Sequence, residues 1–202
     1  MKREIGGYLP LELENRGEFF QNISEKNILR VNTGRTAIWY AIKKLCVRKI
    51  YIPFFYCPDV IEMIRTFNIE ICFYRITKEF LPENVICKED EAIVLVNYYG
   101  ILGNKISKLI SSFSNIILDQ AHAFYEPPVL RKGIYNVYSC RKFFGVSDGA
   151  YLIGMDLESE KGYLQRDLSY NRTEHLIKSI ECGTNEAYTA NKENEEKIGK
   201  EH

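Results

Sequence analysis

Short apolar runs alternate with amphipathic stretches along most of the 202-residue chain. Residues 28–32 predict a strand, and residues 34–46 a helix, with Ala37, Ile38, Ala41, Ile42 and Leu45 recurring at helical spacing. Residues 49–53 form the next strand, Pro58 opens a helix running to Arg65, and residues 71–75 are a third strand. Residues 92–97 and 115–119 are apolar almost throughout, as strands covered on both faces of a parallel sheet are. A short helix at 106–113 separates them, and two more strands are expected at 135–138 and 150–153. The alternation predicts an α/β fold, a mostly parallel sheet flanked by helices. Neither a repeat nor a low-complexity linker interrupts it. After Gly183 the chain turns polar, which reads as either a solvated helix or a frayed tail and not as the close of a compact domain.

Composition narrows the classes. Lys plus Arg is 27 and Asp plus Glu is 27, so the net charge is zero. That argues against a nucleic-acid partner held by general positive charge, leaving only a local patch. No apolar run reaches the roughly 18 residues that would span a bilayer. Residues 1–7 lack the apolar core of a signal peptide, so no membrane partner and a cytoplasmic location are expected. The six cysteines form no Cys-x-x-Cys pair and no His follows at zinc spacing. They are expected to be reduced core residues, with no metal site and no disulfide framework.

Four clusters carry candidate chemistry, and three follow a strand, where ligands of open α/β sheets bind. Asn32-Thr33-Gly34-Arg35-Thr36 passes from strand through Gly into a helix. The free N–H groups there favour an anion, with Thr33 or Thr36 adding a hydroxyl and Arg35 a charge; the plainer alternative is an ordinary cap by Asn32 or Thr33. Asp119-Gln120-Ala121-His122 sets a carboxylate directly after a buried strand, where it needs a partner such as a protonated ring nitrogen; otherwise Asp119 is a helix cap and His122 a core residue. In Ser139-Cys140-Arg141-Lys142-Phe143-Phe144, the phenylalanines either desolvate Lys142 into a nucleophile or merely pack its stem. Ser139-x-x-Lys142 also matches the penicillin-binding enzymes, but the chain has no Lys-Thr-Gly, and Ser147-Asp148-Gly149 stands in place of Ser-Asp-Asn, too close in sequence. Finally, Phe54-Phe55-Tyr56-Cys57 groups rings after a strand, to stack on a flat cofactor or, for Phe54 and Phe55, to pack in the core.

An anion cradle, a buried carboxylate, an amine and an aromatic face are together what pyridoxal 5'-phosphate requires. Their order and wording resemble the DegT/StrS-type aminotransferases, pyridoxal-phosphate enzymes of the aspartate aminotransferase fold. Thr33-Gly34-Arg35-Thr36-Ala37-Ile38 looks like that group's Ser-Gly-Thr-Ala-Ala-Leu phosphate loop, and Asn97-Tyr98-Tyr99-Gly100 like its His-Leu-Tyr-Gly turn. Asp119-Gln120-Ala121-His122 is similar to Asp-x-Ala-Gln/His, and Lys142 to Ala150 aligns without a gap on Lys-x-x-Thr-Thr-Gly-Glu-Gly-Gly. The match spans residues 28–153, and Ile5-Gly6-Gly7-Tyr8 adds to the likeness to a divergent branch.

The resemblance implies a fold-type-I cofactor-binding large domain over residues 1–183, with 184–202 a polar connecting segment or tail and the small C-terminal domain absent. It implies that Lys142 bonds the cofactor aldehyde and shuttles the proton, and that Asp119 pairs with the pyridine nitrogen. His122 would lie near the ring hydroxyl, Gly34, Arg35 and Ser139 would hold the phosphate, and Tyr56 would stack on the ring. It further implies a homodimer moving an amino group from glutamate or glutamine to a keto-sugar on a nucleotide carrier, in polysaccharide or sugar biosynthesis.

Departures qualify that picture. Arg35 replaces the group's Thr, Ser139 stands nearer the Lys than usual, and the usual stacking position falls on Cys57. Family chains run well past residue 202, so a truncated or degenerate, non-enzymatic relative is the alternative. Another pyridoxal-phosphate reaction, such as desulfuration using Cys182, is a third.

Overall fold

The computed structural model describes Glu14 and residues 17–200. The opening words at residues 1–8, the signal-peptide reading among them, lie outside the described residues.

Five strands run parallel through the centre: β2 (Lys49–Pro53), β3 (Glu70–Ile76), β5 (Glu91–Val96), β6 (Asn115–Asp119) and β7 (Ile134–Ser139). Antiparallel strands complete the sheet: β8 (Ala150–Gly154) and β1 (Ile28–Val31) beyond β7, and the two-residue β4 (Pro82–Glu83) beside β3. The eight-strand order is β1-β8-β7-β6-β5-β2-β3-β4. The predicted α/β class is therefore what the chain adopts, and each strand expected from an apolar run is present within a residue or two. β4 is too short to show a pattern of its own.

Burial follows the strand chemistry. β5 (Glu-Ala-Ile-Val-Leu-Val) and β7 are buried at every position, the signature of strands covered on both faces. Helix α1 (Gly34–Leu45) lays Ala37, Ile38, Ala41 and Ile42 on one side of the sheet. α2 (Pro58–Arg65) adds Val60 and Ile64 to the same cluster. α3 (Lys105–Ser111) contributes Ile106 to a second cluster with Ile93, Leu95, Ile116 and Leu118. β1 and β7 both lie antiparallel to β8, so they run in the same sense. The start of α1 is thereby brought to the same sheet edge as the carboxyl ends of β2, β5, β6 and β7.

The remaining helices are α4 (Glu158–Lys161), α5 (Glu174–Cys182) and α6 (Thr184–Lys200). Of the two expectations for the polar end, helix is the one realised. α6 is anchored by buried Ala187 and by buried Asn194, whose amide donates to the Ser147 carbonyl. No helix among the described residues is long and apolar enough to cross a membrane.

Two packing expectations are corrected. All six cysteines are free thiols, but none is in the core: Cys46, Cys57 and Cys182 are exposed and the others only partly covered. Phe54 and Phe55 are also outside it, 64% and 58% exposed, because β2 ends at Pro53 and the chain then leaves the sheet. They stack instead on Phe73 and Tyr98.

Candidate active site

Two cavities that share Cys57, Asp119, Ala121 and Lys142 lie at the carboxyl edge of the sheet. One, about 280 Å³, is lined by Thr33, Gly34, Arg35, Ser139 and Arg141 as well. The other, about 260 Å³, adds Phe55, Tyr56, Tyr98 and His122. Together they gather residues scattered from position 33 to 142, because each strand delivers its own carboxyl end to this edge.

The first cavity joins cationic and hydroxyl groups with the Asp59 and Asp119 carboxylates. Thr33 caps α1: its hydroxyl accepts the Thr36 N–H at 3.1 Å. The start of a 12-residue helix therefore faces the cavity with its positive dipole end. The capping and anion-site expectations for this loop are thus compatible. Gly34 sits tightly enough that a Cβ would touch Val137 and Ser139 at 3.8 and 3.9 Å, so α1 begins hard against β7. Arg35 lines the cavity and pairs loosely with Asp59 at 3.8 Å. Ser139, the last residue of β7, is buried there. Thr36 turns elsewhere: its hydroxyl bonds Thr33 and Asn32, and it lines a separate cleft with Arg30, Asp148, Asp167 and Ser169.

Asp119 ends β6 and is 7% exposed. Its Oδ1 accepts the Ala121 N–H and its Oδ2 the Tyr56 hydroxyl, both at 2.8 Å. Both donors are neutral, and no cation pairs with this carboxylate among the described residues. Burial first, and the Asp119 charge second, push the Tyr56 phenol well above its ordinary range, so it stays a donor.

Lys142 closes a single 3-10 turn, Cys140–Lys142, directly after β7. Its Nζ lies 2.8 Å from His122 Nε2. Burial, then the Lys142 charge, lower the His122 pKa, with Asp119 opposing, so the ring is neutral and accepts from the amine. That leaves the ring proton on Nδ1, which is buried with no partner among the described residues. Tyr99 stacks on His122, centroids 5.4 Å apart and planes 12° apart. Of the two readings for the phenylalanines beside Lys142, desolvation of the amine is not found. The side chain is exposed, because Phe143 and Phe144 turn away to pack on Phe124 and Tyr125.

Of the residues singled out in the sequence, Gly34, Arg35, Tyr56, Asp119, His122, Ser139 and Lys142 line this pair of cavities, and Thr36 does not. Cys57, Tyr98 and Arg141 line them without having been assigned a role. Tyr98 carried a signal, the Asn97-Tyr98-Tyr99-Gly100 turn after an apolar strand.

The donor set suits pyridoxal phosphate. A helix start, a serine and arginines line one cavity, aromatic rings line the other, and the buried Asp119 carboxylate, with only neutral donors, borders both. A lysine stands between them.

No protein-family model and no curated protein matches the chain. Solved structures do. A proposed aminotransferase from Burkholderia pseudomallei superposes with a TM-score of 0.60 at 11% identity, over 87% of this chain and 56% of its own. A Methanococcus jannaschii protein, described as similar in its active site to kynurenine aminotransferases, gives 0.56 at 18% identity, over 86% of this chain and 53% of its own. A proposed sugar aminotransferase from Streptococcus pneumoniae, in its pyridoxal-phosphate form, gives 0.52 at 15%, over 67% and 44%. The chain spans about half the length of these structures. At such identities the likeness establishes the architecture: the chain has the fold of these aminotransferase structures.

Proposed function

We propose that this chain is the cofactor-binding part of a pyridoxal-phosphate-dependent aminotransferase. The observation that carries the proposal is the meeting of Lys142 and Asp119 on one pair of cavities beside the start of α1. When bound, the cofactor supplies an aldehyde to hold the substrate nitrogen and a ring that accepts electrons from the adjacent carbon.

The chain's own residues divide the work. Gly34, Arg35 and Ser139 hold the phosphate, with the α1 dipole aiding the dianion. The Asp119 carboxylate holds a proton on the ring nitrogen. Lys142 Nζ would be the amine that holds the aldehyde, and it would serve as the base and acid that moves a proton between carbon centres. His122 steadies that amine from the side. The substrates we assign are glutamate or glutamine as donor and a keto-sugar on a nucleotide carrier as acceptor. The sugar aminotransferase among the fold neighbours supports that class. A homodimer is part of the proposal, since the resemblance implies shared sites.

A second reading, a degenerate cofactor-binding protein without turnover, is favoured by Arg35, whose charge is already engaged with Asp59. Adding pyridoxal phosphate and then glutamate separates the two. A visible lysine-bound band that appears, is absent in Lys142→Ala and is bleached by glutamate supports transamination. A band that glutamate leaves unchanged supports the degenerate protein, and no band in a folded wild type overturns the aminotransferase and leaves a degenerate relative of the same fold.

A further inference from the structure

Tyr56 and Asp119 are 63 residues apart, and no sequence pattern connects them. A ring that only stacks or packs needs no hydroxyl. Phenylalanine would serve, and Phe54 and Phe55 precede Tyr56 in the same segment. A hydroxyl buried without a partner is costly. The Tyr56 hydroxyl end is buried, and it donates to Asp119 Oδ2 at 2.8 Å. With Ala121 N–H on Oδ1 at 2.8 Å, each carboxylate oxygen has one donor from the protein.

This arrangement has two consequences. Two donors, one per oxygen, fix the plane of the carboxylate at the end of β6. Both are hydrogen bonds to a carboxylate, which are shorter and stronger than neutral ones. Oδ2 keeps a second lone-pair site for a cationic N–H in the cavity.

We infer that Tyr56 is a positioning residue: its hydroxyl orients Asp119, so that the carboxylate can receive a protonated ring nitrogen. The identity of that nitrogen rests on the proposed function. The hold of Tyr56 on Asp119 does not.

The test is Tyr56→Phe, which retains the ring. In cofactor-free protein labelled with carboxyl-¹³C aspartate, and with Asp119→Asn assigning the resonance, the Asp119 carboxyl signal should be displaced. Pyridoxal phosphate binding should weaken roughly tenfold or more. An unmoved Asp119 signal in a folded variant, shown by unaltered near-ultraviolet circular dichroism, overturns the inference. Where Tyr56→Phe does not fold, the Tyr56 Cζ resonance is compared between wild type and Asp119→Asn. A displaced resonance supports the contact, and an unmoved one overturns it. Failure of the wild type to bind pyridoxal phosphate counts against the proposed function alone, because the Asp119 carboxyl signal needs no cofactor.

Discussion

Replacing Arg172 by Met should destabilise the fold and loosen the segment that carries Lys142. Arg172 is 3% exposed and donates from Nε to Asp148 Oδ2 at 3.0 Å; its Nη2 also donates to Asp167. Asp148 lies six residues after Lys142 and is further held by the Ser169 hydroxyl at 3.1 Å. Gly149, at φ +115°, then donates to the Asn32 carbonyl at 2.7 Å and returns the chain to β8. Arg172 thus closes the far end of the lysine segment. Breaking a buried ion pair from one side costs about 3–5 kcal/mol, because the remaining charge is stranded. Asp148 keeps its serine, and Asp167, 43% exposed, rehydrates, so the low end, about 3 kcal/mol, is expected. Urea denaturation followed by circular dichroism measures it. Removing both charges, Arg172→Met with Asp148→Leu, should recover part of the loss, since no charge is then stranded. A loss below about 1 kcal/mol for Arg172→Met alone would refute the reasoning, since that is the range of an exposed pair.

Other outcomes follow from the same structure. The His122 pKa is lowered by burial and by Lys142, so between that lowered value and the unfolded 6.5 the unfolded chain binds more protons. Stability, and attachment of pyridoxal phosphate to Lys142, should therefore fall as pH drops through that window. Urea midpoints at about pH 7.5 and 5.5 check it, and His122→Gln should flatten the difference. Ile117→Ala, at a fully buried site in the middle of β6, should cost about 3 kcal/mol by the same denaturation assay.

The architecture was legible because buried parallel strands leave a strong trace. The runs at β5 and β6 are almost wholly apolar, and helix α1 shows its buried stripe at helical spacing. Much of the site was legible for a related reason: its residues follow strands, and a polar residue directly after an apolar run stands out. What was not legible depended on direction in space. Phe143 and Phe144 adjoin Lys142 in sequence but turn toward Phe124 and Tyr125, leaving the amine exposed. Thr36 sits one turn into α1, where its hydroxyl is taken by Asn32 and Thr33. Phe54 and Phe55 look like core residues by type, yet they follow the last position of β2. α5 was missed although Leu176, Ile177 and Ile180 recur at helical spacing; Ile177 and Ile180 remain exposed.

The central claim is that Lys142 is the amine to which pyridoxal phosphate attaches. Reducing the protein–cofactor mixture with borohydride and mapping the modified peptide by mass spectrometry tests it most directly. The account predicts a pyridoxyl group on Lys142, lost in Lys142→Ala and diminished in Asp119→Ala. Label spread over other lysines at equal occupancy, or unchanged in Lys142→Ala, would contradict it.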